Sequence, residues 1–107
     1  MADRGWKQFE RRIARDHGTE RTPVTGERDG ADFVTPVFEA QCKLRRVLPT
    51  WLFAWLDGIT ARARLNGRTG ILILKRPRMR DADALVVLRY GDWVELHGRL
   101  VGKRSGA

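Results

Sequence analysis

The chain has 107 residues, 21 Lys or Arg against 13 Asp or Glu, and a formal net charge of +8. Its single cysteine, Cys42, excludes a disulfide framework and a cysteine-built zinc site. No apolar run is long enough for a transmembrane helix, and the N-terminal MADRGWKQFERR lacks the apolar core of a signal peptide, so a cytoplasmic protein is expected.

Residues 5–17 are predicted to form a helix, because Trp6, Phe9, Ile13 and the aliphatic part of His17 recur at helical spacing. Gly18 suits the position just past its end. Residues 18–31 are turn-rich, with room for a short strand at 23–25, and residues 32–35 form a short strand candidate that stops at Pro36. Residues 37–44 alternate cleanly: Phe38, Ala40, Cys42 and Leu44 share one face, and Glu39, Gln41 and Lys43 share the other. A second helix is expected over 50–66, with Leu52, Trp55, Leu56, Ile59 and Ala63 as its apolar stripe and Asn66-Gly67 as its end. Trp51, which lies beside or opposite that stripe, and Trp55 on it are core residues before they are stacking platforms, with Trp51 the more exposed of the two. Residues 69–75 and 84–89 are continuous apolar strands of the kind found inside a sheet, with a charged loop at 76–83 between them. Residues 92–98 are a short terminal helix or strand.

The resulting order is α-β-β-β-α-β-β, an α/β or α+β fold with a central mixed β-sheet flanked by helices. The strand–helix–strand run over 37–75 implies locally parallel pairing. A single domain over 1–101 followed by a flexible basic tail at 102–107 is expected.

The charge is unevenly spread. Residues 1–43 carry eight cations and eight anions, residues 44–80 nine cations and one anion, and residues 81–107 four of each. Of the 21 cations 17 are Arg, the residue suited to bidentate phosphate contacts. The whole surplus lies in the middle of the chain and points to a polyanion, DNA first; a merely solvated charged face is the plain alternative. Arg45, Arg46, Arg62, Arg64, Arg68, Lys75, Arg76, Arg78 and Arg80 are the candidate phosphate contacts.

One set of residues suggests chemistry. Asp32 begins a strand; Gln41 and Lys43 lie two apart on the next, with Glu39 one step back, and Glu10 lies on the first helix. Carboxylate and amide oxygens hold Mg²⁺ against a phosphodiester, and a lysine beside the metal can position the attacking water. Each has a plainer use: Asp32 as a turn cap, Lys43 and Gln41 as exposed strand side chains, Glu39 and Glu10 as partners of nearby Arg. His17 and His97 have no third ligand at zinc spacing.

Glu10, Gly30-Ala-Asp32, Gln41-Cys-Lys43 and Leu48-Pro-Thr-Trp51-Leu52 together resemble the PD-(D/E)xK nuclease superfamily. The resemblance is closest to small phage-encoded nucleases of Holliday-junction-resolvase type, and extends through Ile71–Pro77, Asp81–Arg89 and Asp92–Gly98. It implies a restriction-endonuclease-like fold and a Mg²⁺- or Mn²⁺-dependent DNA endonuclease acting at branched junctions as a homodimer, in the host cytoplasm if phage-encoded. By resemblance Asp32 is the metal-binding aspartate, Lys43 the catalytic lysine and Glu10 the first-helix glutamate. Gln41 stands where the family usually has Glu, a variant similar to that of Mrr-type restriction endonucleases. Its neutral amide adds no charge to the metal site, which Glu39 can supply from the same face. An alternative register takes Glu39 and Gln41 as the motif pair, at the cost of the lysine. A nuclease acting on linear duplex, or a DNA-binding protein that has lost its metal, are the competing functions.

Overall fold

The expected first helix is α1, Ala2–Asp16, in a computed structural model that describes residues 2–22 and 31–105. It ends as its sequence dictates. Gly18 takes φ +74°, Thr19 N–H donates to Ala14 C=O (3.0 Å) and Gly18 N–H to Arg15 C=O (2.9 Å), a Schellman closure. Among the described side chains of α1 the most buried are Glu10 and Ala14, with Trp6, Ile13 and the following His17 half-buried around them. A carboxylate thus sits at the centre of the buried face.

The next two strands are short. β1 (Phe33–Val34) and β2 (Glu39–Ala40) pair antiparallel, Phe33 opposite Ala40 and Val34 opposite Glu39. Their connection is fixed by Thr35, whose N–H donates to Phe38 C=O (2.8 Å) while its Oγ1 accepts from the N–H groups of Val37 and Phe38. Phe33 is buried against α1, with His17 4.9 Å from its ring. The strand expected over 37–44 therefore shrinks to two residues. Pro36 limits its partner, and the Cys42 N–H is taken by the Asp32 carboxylate rather than by a ladder carbonyl. The strand expected at 23–25 lies outside the described residues.

The second helix, α2, spans Thr50–Leu65. It closes like α1: Gly67 at φ +66° donates to Arg64 C=O, and Arg68 N–H to Ala63 C=O at 2.8 Å. Its buried face is Leu56 and Thr60, with Leu52 and Ala63 half-buried beside them. This corrects the expected stripe: Trp55 and Ile59 are exposed. A second ribbon pairs β3 (Leu72–Leu74) antiparallel with β4 (Leu85–Val87) in the register Leu72–Val87, Ile73–Val86, Leu74–Leu85. Gly70 lets the chain pass close to α2, since a Cβ there would lie 2.8 Å from Thr60 Cα. A single 3₁₀ turn, Asp81–Asp83, leads into β4.

The third helix, α3, spans Tyr90–Ser105. The segment 92–98 is therefore helical, and the tail expected over 102–107 is helical as far as Ser105. Trp93 and His97, one turn apart, lie with ring centroids at 5.5 Å.

The fold is mixed α and β: three helices and two small antiparallel ribbons among the described residues. The parallel pairing expected between 37–44 and 69–75 does not occur among them. Each strand instead pairs with its neighbour in sequence, which a short connection allows only in antiparallel sense. Nor is either apolar strand fully buried, for Ile73 is 62% and Val86 59% exposed. The chain divides into two compact units, Met1–Arg46 and Val47–Ala107, a division that falls inside the single domain expected over 1–101.

Candidate functional site

In the first unit a cavity of about 370 Å³ opens between the face of α1 and the chain that follows β2. Glu10, Asp32 and Lys43, far apart in sequence, all line it, together with Trp6, Cys42 and Arg45. Each is delivered by a different local device. Helical spacing from Trp6 and Ala14 turns Glu10 inward, leaving it 2% exposed. Asp32 is held at the root of β1 by its own backbone, with its N–H donating to Ala40 C=O and its C=O accepting from Thr22 N–H, each at 2.7 Å. Its Oδ2 accepts from Cys42 N–H at 2.6 Å, which draws residues 42–45 along the cavity wall. Asp32 is thus both a cavity carboxylate and the cap of the returning chain.

Glu10 is not a free carboxylate. Arg21 Nε donates to its Oε2 at 2.5 Å, and the Arg21 guanidinium also lies 5.5 Å from the centre of the Trp6 ring. Sequence reasoning missed Arg21, and nothing in its turn-rich surroundings could have marked it. Burial pushes the Cys42 thiol pKa up, and the negative charges of Asp32 and then Glu10 push it further. Both carboxylates therefore act on the same point of the cavity wall.

Gln41 and Glu39 are exposed and lie outside this lining. Glu39 opposes the exposed Val34 in the ladder, so it stands on the outer face of the hairpin, whereas Ala40 opposes the buried Phe33. The expected alternation stops at Ala40. Beyond it Cys42, Lys43 and Arg45 reach the same cavity, which a regular strand would not allow.

Among the described residues no group of three or more His, Cys, Asp or Glu forms a metal cage. Mg²⁺, however, is commonly held by only one or two carboxylates, with water and substrate phosphate completing its shell. Glu10 and Asp32 fit that smaller donor set.

The basic residues are placed differently. Arg46 is exposed near the end of the first unit, and Arg62, Arg64 and Arg68 are exposed along and after the second half of α2. Lys75, Arg76, Arg78 and Arg80 are exposed around the loop between β3 and β4. Three of these have carboxylate partners: Lys75 with Asp81 at 2.7 Å, Arg80 with Asp83 at 2.9 Å and Arg64 with Asp92 at 3.8 Å. Arg89 pairs with Asp57 and lies over the Phe53 ring. No helix among the described residues is long and apolar enough to cross a membrane. Compared with protein-family models, curated proteins and solved structures, the chain finds no match.

Proposed function

We propose that the protein is a metal-dependent DNA endonuclease of PD-(D/E)xK type, acting at branched junctions. The observation that carries the proposal is the meeting of Glu10, Asp32 and Lys43 on one cavity with Arg45 at its rim. With it go a two-fold homodimer suited to paired cuts and a cytoplasmic place of action. Asp32 and Glu10 would hold Mg²⁺ or Mn²⁺, which when bound polarises the phosphate and makes a water more acidic. Arg21 holds the buried Glu10 carboxylate in place. Lys43 holds the attacking water or donates a hydrogen bond to a phosphoryl oxygen as negative charge grows there. Arg45 binds the flanking phosphate. Gln41, which lies outside the cavity, is not needed for these steps.

A second function is favoured by one observation. Glu10 already has a cation in Arg21, so the cavity can be electrically satisfied without a metal. The protein would then bind DNA and not cut it.

Incubating the purified protein with four-way-junction and linear duplex DNA, with Mg²⁺ or EDTA, separates these functions. Junction cleavage in Mg²⁺, reduced on the order of 10²–10⁴-fold in Lys43→Ala and in Asp32→Ala, is the expected result. Faster cutting of linear duplex would move the substrate to ordinary DNA. No metal-dependent cleavage, or full cleavage by Lys43→Ala, would overturn the nuclease proposal.

A further inference from the structure

The second unit carries a groove that the proposed chemistry does not use. It has a volume of about 620 Å³, within the ~300–1,000 Å³ common for ligand sites. Trp51, Trp55, Met79 and Leu85 make its apolar wall, and Lys75 and Arg76 stand at its edge.

The two tryptophans are one helical turn apart on α2 and are 50% and 58% exposed, an unusual display for the largest apolar side chain. Their ring centroids are 5.2 Å apart at an interplanar angle of 58°. At that tilt the rings do not stack flat on one another, so a ring face remains for a planar ligand. Helical spacing puts Arg62 on the same stripe, two turns further along.

A second feature is aimed at the same place. Arg76, Pro77, Arg78 and Met79 form a tight turn closed by Met79 N–H donating to Arg76 C=O at 3.2 Å. Pro77 suits its second position. The third takes φ +70°, and here it is Arg78, not the Gly or Asn that a type II turn favours. Conformational strain is thus accepted at a cation that lies outside the groove lining but next in the chain to Met79, which the turn brings back into the wall. Lys75 and Arg80 are paired with Asp81 and Asp83, but no ion pair engages Arg76 or Arg78 among the described residues.

We propose that this groove binds an unpaired stretch of DNA, a base stacking on Trp51 and Trp55 with the adjoining phosphates on Arg76 and Arg78. An apolar aromatic wall needs base faces, and a duplex keeps those faces inside its own stack. The cations need a polyanion: residues 44–80 hold nine cations and one anion. A second copy of the chain suits the groove poorly, because a two-fold contact sets the same basic rim on both sides. The choice of DNA over RNA rests on the nuclease proposal; the groove itself does not.

The test is a fluorescence titration in EDTA of wild type, Trp55→Ala and Arg78→Gly. The probes are a single-stranded oligothymidine, an oligouridine and a duplex of equal length. Oligothymidine should quench tryptophan emission. Trp55→Ala should bind it about ten-fold more weakly and change duplex binding by less than about two-fold. Arg78→Gly should melt at a higher temperature than wild type, yet lose affinity and about one unit of salt slope. Both side chains are exposed, so neither variant threatens the fold. Wild-type affinity in Trp55→Ala, or equal losses on duplex and single strand, would overturn the proposal. Tighter binding of oligouridine would overturn the choice of DNA. A dimer that Trp55→Ala dissociates without affecting oligothymidine would make the occupant a second copy, also against the proposal. No cutting enters this experiment. Binding of this kind without cleavage refutes only the nuclease, and cleavage with unaltered binding in Trp55→Ala refutes only the groove.

Discussion

The two units handle polar and apolar groups in opposite ways. The first buries a carboxylate, Glu10, at the centre of its helix face and answers it with Arg21. The second exposes two tryptophans and keeps a hydroxyl, Thr60 Oγ1, buried without a hydrogen-bond partner among the described residues. Buried charge costs stability unless it is paired, and exposed aromatic surface does nothing for a monomer's stability. Each unit thus departs from the simplest core-and-surface pattern at one place. In the first unit that place is a cavity with acid–base groups, and in the second a groove with cations at its rim. Such local conflicts between good packing and observed placement are where function is sought.

The most drastic way to break this contrast is to remove Arg21. Arg21→Ala leaves Glu10 buried without its ion-pair partner, a change that typically costs about 3–5 kcal/mol. Denaturant unfolding and hydrogen exchange should show the loss in α1 and the β1–β2 hairpin. The double variant Glu10→Leu with Arg21→Leu should recover most of it, since an apolar pair of similar size needs no counter-charge. Recovery of stability with loss of cleavage would show that the pair is kept for its chemistry. Wild-type stability in Arg21→Ala would show that water reaches Glu10 and that the contrast between the units is smaller than its burial suggests.

How much of this is legible in the sequence depends on the range of the interaction. Gly18 and Gly67 mark the ends of α1 and α2 because a left-handed residue is a local requirement. α1 and α2 follow from periodicity and the positions of β3 and β4 from continuous apolar runs, whereas α3 is expected only as a short helix or strand over 92–98. The face of α2 does not follow from periodicity. Counting Trp55 as core rotates the expected stripe, whereas Thr60 and Gly70 together decide which side meets β3. Strand 37–44 is misjudged because its alternation describes side chains, while its length is set by who takes each N–H. Cys42 gives its own to Asp32. In the candidate site Glu10, Asp32 and Lys43 are chosen for their residue chemistry and then for the family resemblance, and the fold brings these three to one cavity while Gln41 and Glu39 stay outside it. Arg21 is invisible because only the folded chain brings it to Glu10.

A smaller effect sharpens the second unit's side of the contrast. In Gly70→Ala the new Cβ meets the backbone of Thr60 and Ile59 at 2.8–3.0 Å, atoms that cannot rotate away. Overpacking of this kind costs about 1–3 kcal/mol. Thermal unfolding and exchange in α2 and β3 should report it. An unchanged melting temperature would mean that β3 shifts freely over α2 and that the Thr60 contact does not fix its place.

The smallest effect reads the first unit's electrostatics directly. Burial, and then Asp32 and Glu10, hold the Cys42 thiol in its protonated form beyond the pH at which an ordinary thiol ionises. Only the thiolate attacks iodoacetamide. Alkylation of the chain's single cysteine should therefore be slow near neutral pH and should keep rising at pH values where a free thiol has levelled off. Asp32→Asn removes one of the two negative charges and keeps an oxygen to accept the Cys42 N–H. The midpoint should move down in pH and the rate near pH 8 should rise a few-fold, because burial, the larger cause, is untouched. Measured in EDTA, the experiment needs neither metal nor DNA. An unchanged profile would mean that solvent screens Asp32 from Cys42, and a cavity screened in that way could not concentrate its charge on a cation.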